Sequence, residues 1–308
     1  MMRPGGRRRE ATFAVIGGSG FYEIDGLTDV ESVAIDTPFG ATSDRIVLGS
    51  LGGVRMAFLP RHGVGHRILP GEVPQRANVW ALASLGVEYI ASVSAVGSLR
   101  EQIVPLHMVV PDQLVDRTHS DRPSTFFGRG IVAHIGFDTP FCPALSATMS
   151  DAARASGVTA HRGGTLVVIE GPAFSTRAES ELYRSWGADI IGMTALPEAK
   201  LAREAGICYA MLACVTDYDT WRDGHAAVSV EMVIENLRQN VAKARSIVAD
   251  AARALPERTC ACASALTDAI ITPLDLVPDE TRRDLAPILD RARAAGAAAA
   301  YGPPGGVQ

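Results

Sequence analysis

Seven consecutive residues from Tyr209 to Val215, all apolar or aromatic, end on Thr216-Asp217-Tyr218-Asp219. A strand with one wet face alternates apolar and polar residues. An unbroken run belongs to a strand covered on both faces, as in the sheet of an α/β protein. Similar runs occur at Thr12–Ile16, Val54–Leu59, Tyr89–Val93, Met108–Val110, Leu166–Ile169 and Asp189–Met193. Helical patterns lie among them at Gln75–Leu85, Ala144–Ala155, Arg177–Trp186, Pro197–Glu204 and Glu231–Ala254. The alternation predicts an α/β fold. Thr176 and Glu179 have capping-box spacing, Gly187 and Gly206 stand just past helix ends, and Pro197 sits at a first turn.

The chain has 308 residues, 47% hydrophobic and 20% charged, which suits a large globular unit. There is no clear internal repeat and no linker in the first 250 residues, so one domain is expected over 11–290, with disordered tails at 1–10 and 291–308. After Leu255 the pattern is mixed, with a short helix expected from Asp279. The net charge of −5 offers no footprint for nucleic acid or an anionic membrane. No apolar run is long enough to cross a bilayer. Arg3, Arg7, Arg8 and Arg9 open the chain without the apolar segment of a signal peptide, so a cytoplasmic location is expected.

Five cysteines, scattered and odd in number, do not form a secreted disulfide framework. Cys208 and Cys214 are expected to pack as small hydrophobes. Cys260-Ala261-Cys262 has the spacing of a redox or metal pair, but no zinc-type ligand cluster surrounds it in the sequence.

Several strand ends carry chemistry. Asp217 and Asp219 are two residues apart, so on an extended backbone they share one side. Like charges so close would raise one pKa, leaving a neutral acid beside an ionised one. That pair matches an adenine edge, where N7 needs a donor and the N6 amine an acceptor; a solvated turn is the plain alternative. Gly17-Gly18-Ser19-Gly20 follows the first strand and suits either a tight turn or an oxyanion. Arg61-His62 follows the second run, Ser94 to Ser98 the third, and Thr194 a later one. Their recurrence predicts an anion cage of Ser19, Arg61, His62, Ser94 and Thr194. Phe174 suits either base stacking or the core.

These motifs together, with Ala95-Val96-Gly97-Ser98-Leu99, Glu170-Gly171-Pro172, Arg177-Ala178-Glu179 and Pro197-Glu198, resemble the methylthioadenosine phosphorylases of the trimeric purine nucleoside phosphorylase superfamily. They follow the family's order over roughly Phe13 to Ala254. The resemblance implies a single α/β domain around a mixed, barrel-like sheet, assembled as a homotrimer or dimer of trimers. It implies no metal or cofactor, inorganic phosphate being a co-substrate. Nucleoside and phosphate are then the partners. By the same resemblance, Ser19, Arg61, His62, Ser94, Ala95 and Thr194 hold phosphate. Met193 lies under the ribose, Asp217 is the catalytic acid at N7, and Asp219 faces N6. Phe174, Tyr218 and Gly97 belong to the substrate site, with Ser175 beside the base. Val230 and Val233 face the 5′ substituent, and His134 reaches a neighbouring subunit's site.

The implied reaction is reversible phosphorolysis of 5′-methylthioadenosine to adenine and 5-methylthioribose 1-phosphate. Relatives that prefer 6-oxopurines carry Asn at the place of Asp217. The alternatives are a broader phosphorylase acting on adenosine, inosine or guanosine, a nucleosidase using water, and a non-catalytic nucleoside-binding protein. Ser19 and Ser94 replace the threonines of many relatives but keep the hydroxyl; Val96 replaces a cysteine of some.

Overall fold

The computed structural model describes residues 10–18, 25–119, 122–222 and 230–297, excepting the side chains of 230, 232 and 297. Eleven strands among these residues join in one mixed sheet. They are β1 (Phe13–Gly17), β2 (Thr28–Val33), β3 (Ile46–Leu51), β4 (Val54–Pro60), β5 (Tyr89–Ser98) and β6 (Met108–Val110), followed by β7 (Gln113–Arg117), β8 (Ala160–Arg162), β9 (Thr165–Ile169), β10 (Ile190–Gly192) and β11 (Cys208–Asp217). The main path runs β2-β3-β4-β1-β5-β10-β9-β7, and β11 branches from β5 to carry β6 and β8.

The unbroken apolar runs have the cause expected of them. In β1, β5 and β11, Ala14, Ile16, Ile90, Met211 and Val215 enter one core cluster, while Phe13, Val15, Ala91, Ala210 and Leu212 enter another. Successive side chains point to opposite faces, and both faces are dry. Helices α1 (Gln75–Ser84), α4 (Ala195–Glu204) and α7 (Ala286–Ala292) supply the first cluster; α2 (Pro143–Ala155) and α5 (Val230–Arg253) supply the second. Between them in sequence lie α3 (Arg177–Ser185) and α6 (Asp279–Asp284).

All seven expected strands and five expected helices form, with ends shifted by a few residues. The Thr176–Glu179 capping box is present, and Gly187, at φ +87°, ends α3. Four strands escaped the sequence pattern: β2, β3, β7 and β8. Of these, β2 and β7 are largely exposed or only partly buried, so they carry no apolar run. The segment Ser94–Ser98, read as a strand exit, continues β5 because its small residues are held extended between β11 and β10. The expected tail at 1–10, but for Glu10, lies outside the described residues, as do residues 298–308. At the other end, helical structure continues past residue 291: α7 reaches Ala292 and a π-turn follows over Arg293–Ala297.

Candidate active site

β5 sets the position of the site. β11 runs parallel along one edge of it. Along the other edge β1 is registered up to Ser92, and β10 begins, antiparallel, at Gly97. Between Ser92 and Gly97 the described strands leave that second edge uncovered, so backbone groups near Ser94 and Ala95 are available to a ligand. This is a switch point, where α/β sheets bind their ligands. β1, β4, β5 and β11 are linked by parallel pairings and end on one rim. β10 runs back toward Ser94, and continuing its register three residues past Ile191 brings Thr194 opposite Ser94. Their hydroxyls are 3.1 Å apart.

A cavity of about 330 Å³ opens at this rim. Its polar end is lined by Arg61, His62, Ser94, Ala95 and Thr194, with Gly18 beside them. Asp217, Asp219 and Gly97 line it too, as do Met193, Phe174 and Val233. Phe174 is 42% exposed, which excludes the core-packing alternative. Ser19 lies outside the described residues, and so does the side chain of Val230.

Arg61 is almost fully buried. Its Nε and Nη2 donate to the Glu198 carboxylate at 2.9 and 3.1 Å, Nη1 donates to Val93 O at 3.0 Å, and Nη2 also meets Ser92 Oγ and Ile16 O. Burial disfavours its charge, but Glu198 restores it and holds the pKa above the ordinary arginine value. Tyr209 donates its hydroxyl to Glu198 Oε1 at 2.8 Å, so the ion pair is anchored on β11. One Nη1 hydrogen is left over for a ligand. His62 is pushed down to about 4 by burial and by the Arg61 charge. It is therefore neutral near pH 7. Its Nδ1 lies 2.8 Å from Ile68 O, a pure acceptor, so the proton is on Nδ1 and Nε2 carries a lone pair. Neutral His62 can therefore offer an acceptor, at Nε2, to a hydroxyl in the cavity.

The carboxylate pair is also a turn. Asp219 lies past the end of β11 at φ +50°, and its N–H donates to Asp217 Oδ1 at 2.8 Å. The two readings of the sequence, turn and site, describe one object. Burial raises the Asp217 pKa against the lowering effect of its hydrogen bonds to Thr216 and the Asp219 N–H. Burial likewise lifts Asp219 to about 6, with the Asp217 charge a smaller contribution. Desolvation, not the mutual repulsion expected from spacing, does most of the work. Asp219 Oδ2 is buried with no hydrogen-bond partner among the described residues, as befits an acceptor waiting for a ligand donor. Asn236 and Asn240 on α5 donate to Thr216 O at 2.6 Å and Val215 O at 3.2 Å, holding the strand end in place.

Two expectations are corrected. Tyr218 does not line the cavity: its ring meets Trp221 edge-on at 5.9 Å, Arg222 stacks on it at 4.1 Å, and its hydroxyl is directed at Glu101 O. One residue after Asp217 at the strand end, Tyr218 points to the opposite side. Ser175 is buried outside the cavity wall, while its neighbour Phe174 lines the cavity. His134 is exposed and absent from the wall, its N–H donating to Ala269 O at 2.9 Å.

Some participants were missed. Leu237 and Val241 line the cavity with Val233, four residues apart along α5. That spacing puts all three on one helix face, a stripe visible in the sequence. Arg122 gave no such signal. It pairs with Glu170 at 2.8 Å and donates to Met193 O at 2.8 Å and Leu196 O at 3.2 Å, fixing the backbone that carries Thr194.

The model of the phosphorylase superfamily matches residues 12–253 of the chain. The S-methyl-5′-thioadenosine phosphorylase of Geobacter sulfurreducens is 58% identical over 277 residues, covering 90% of this chain and 97% of that protein. A crystal structure of a methylthioadenosine phosphorylase from an antarctic soil metagenomic library superimposes with a TM-score of 0.87 at 50% identity, over 91% of this chain and 99% of that one. The Schistosoma mansoni methylthioadenosine phosphorylase in complex with adenine gives 0.77 at 35% identity, over 91% and 98%. With the family model matched over most of its length and relatives at least half identical across nine-tenths of it, the chain belongs to the phosphorylase superfamily, among the S-methyl-5′-thioadenosine phosphorylases.

Proposed function

We propose that the chain is a pentosyltransferase that carries out reversible phosphorolysis of 5′-methylthioadenosine, in purine and methionine salvage. The observation that carries this reading is one cavity with three chemistries: a polar end lined by Arg61, His62, Ser94 and Thr194, a buried carboxylate pair and an apolar helix stripe. Arg61, His62, Ser94, Thr194 and the backbone at Ala95 hold phosphate, with Ser19 completing the cage. Met193 lies under the ribose. Phe174 and Gly97 border the base. Val233, Leu237 and Val241 receive the methylthio group, better than they would a 5′-hydroxyl, by about 1–3 kcal/mol.

A phosphate oxygen forms a bond to C1′ as the C1′–N9 bond breaks. The bonding pair moves onto the purine, and Asp217 delivers a proton to N7, so adenine leaves neutral. Asp219 accepts from the N6 amine. Proton transfer of this kind contributes typically ~10²–10⁴-fold. Thr216 supports both states of Asp217. Its hydroxyl lies 2.7 Å from Asp217 Oδ2 and 3.2 Å from Val96 O, so it donates to the ionised acid or accepts from the neutral one and donates to Val96. Neutral His62 takes a hydrogen bond from phosphate, leaving more charge on the attacking oxygen. Positioning phosphate against C1′ replaces a bimolecular encounter with an oriented one.

The reading includes a homotrimer in the cytoplasm. Val132 and Ile271, both exposed, meet across the Ala133–Ile270 bridge beside His134, an apolar patch suited to a neighbouring subunit whose site His134 would enter. The test is adenine release from methylthioadenosine with and without phosphate, with adenosine and inosine alongside. Phosphate-dependent release, fastest from methylthioadenosine, is expected. Release without phosphate would make the protein a nucleosidase, and a preference for inosine would overturn the roles of the aspartates. Asp217→Asn is expected to cut turnover by roughly 10²–10⁴-fold with the fold intact; if Asp219→Asn does so instead, the two roles are exchanged.

A further inference from the structure

Cys260-Ala261-Cys262 has no ligand cluster near it in the sequence, but the fold supplies one. Cys142 caps the start of α2, Cys208 begins β11, and the Cys260–Cys262 turn follows α5. The backbone pins two of these segments together, since the Cys142 N–H donates to Tyr209 O at 2.7 Å. The four sulfurs lie within 4.8 Å of one another, with Cys260 3.3 Å from Cys208 and 3.7 Å from Cys142. A disulfide would bring two of them to about 2.0 Å. Zinc–thiolate bonds of about 2.3 Å in a tetrahedron place the sulfurs roughly 3.8 Å apart. The observed spacing brackets that edge.

Apolar packing does not require this convergence. Cys214, fully buried on the same strand as Cys208, is outside the cluster and shows what a packing cysteine looks like here. Cys142, Cys208 and Cys262 are buried, and Cys260 is half-buried, which leaves an entry path. Arg258 stands against Cys208, with its other nitrogens on Glu88 and Gly206 O and its Nε buried without a partner among the described residues. A donor of that kind suits the negative charge of metal-bound thiolates.

We propose that Cys142, Cys208, Cys260 and Cys262 form a closed tetrathiolate site for a zinc-type divalent cation. Four protein sulfurs complete a tetrahedron and select a thiophilic metal. Binding releases the thiol protons, with no change of oxidation state. Cys208 and Asp217 are the two ends of β11, about 30 Å apart at roughly 3.3 Å per residue. The site therefore takes no part in the reaction, and the metal-free chemistry implied by the family resemblance is unaffected. It fastens the end of α5 and the segment after it to the starts of α2 and β11.

The experiment loads reduced full-length protein with Zn²⁺ or Co²⁺ anaerobically, removes excess metal, and measures metal per chain and the visible spectrum. One metal per chain is expected, with the thiolate-to-cobalt charge-transfer band of a tetrahedral sulfur site. Cys214→Ala should keep both, and Cys260→Ser with Cys262→Ser should lose both. Chelation should lower Tm while leaving kcat on a nucleoside substrate unchanged below that temperature. The cobalt spectrum of the unaltered protein decides the matter even if the double variant fails to fold. Absence of stoichiometric metal, a cobalt spectrum without thiolate bands, or disulfides that form in preference to metal binding would each overturn the site.

Discussion

A methyl group at Gly97 would come within 2.9 Å of Asp217 Oδ1 and 3.0 Å of Ile191 Cγ2. Gly97→Ala is therefore expected to displace the acid and lower kcat/KM by an order of magnitude or more, as about 1.4 kcal/mol would, with Tm moving little; steady-state assays and calorimetry separate the two. Gly171, at φ +68°, has a similar duty, because a Cβ there would collide with Met193 Sδ. Titration adds a second prediction. Glu204, buried and receiving hydrogen bonds from Thr125 Oγ1 at 2.6 Å and the Phe126 N–H at 2.7 Å, is lifted from 4.5 to about 7 by desolvation. The folded state then holds its proton more tightly than the unfolded chain. Its contribution to stability is full below about 4.5 and is lost as pH rises through about 7. Urea titrations should show Glu204→Gln with a flatter loss of stability across that window than the parent; equal slopes would refute the assignment. The raised acids of the site carry the same sign for activity: kcat/KM should fall as pH rises past the range in which the Asp217–Asp219 pair keeps its proton.

The elements matter through what they deliver to one rim. β4 brings Arg61, β10 brings Thr194, β11 brings the two acids, and each is locked by a partner from elsewhere. The Arg61–Glu198 pair joins the end of β4 to α4, with both side chains nearly inaccessible to water. Removing one member of such a pair leaves an uncompensated buried charge. Glu198→Gln should cost about 3–5 kcal/mol in chemical denaturation and weaken phosphate binding, because the guanidinium loses its fixed orientation. Retention of both would show that Arg61 needs no partner. Arg122 holds the backbone at Met193 and Leu196 from outside the cavity. Arg122→Ala should raise the KM for phosphate through a displaced Thr194, a change visible in initial-rate kinetics.

For the whole molecule, the exposed apolar residues around His134 make assembly the next question. If the proposed trimer forms through this patch, Val132→Asp with Ile271→Asp should reduce the assembled mass, read by light scattering, and lower activity in proportion as the proposed contact of His134 with a neighbouring site is lost. An unchanged assembly state in that variant would overturn this patch as the interface. At this scale the tetrathiolate cluster is expected to act on Tm alone, far from the chemistry at the other end of β11.

The fold class was legible because strands buried on both faces must be apolar throughout, as β1, β5 and β11 are. Wetter strands such as β2 left no such mark. Most of the residues that line the cavity's polar end, and both carboxylates, could be read from the recurrence of hydroxyls, charges and glycines at strand ends, since parallel strands deliver their ends to one rim. What remained hidden depends on distance in the chain: Glu198 on Arg61, Arg122 on Met193, and Cys142 and Cys208 on Cys260. Tyr218 and Ser175 were misplaced because each is the chain neighbour of a cavity-lining residue, Asp217 and Phe174, and adjacent side chains need not face the same way. Periodicity records which faces of an element are dry. Only the packed tertiary structure decides which distant side chain meets which, and which way each points.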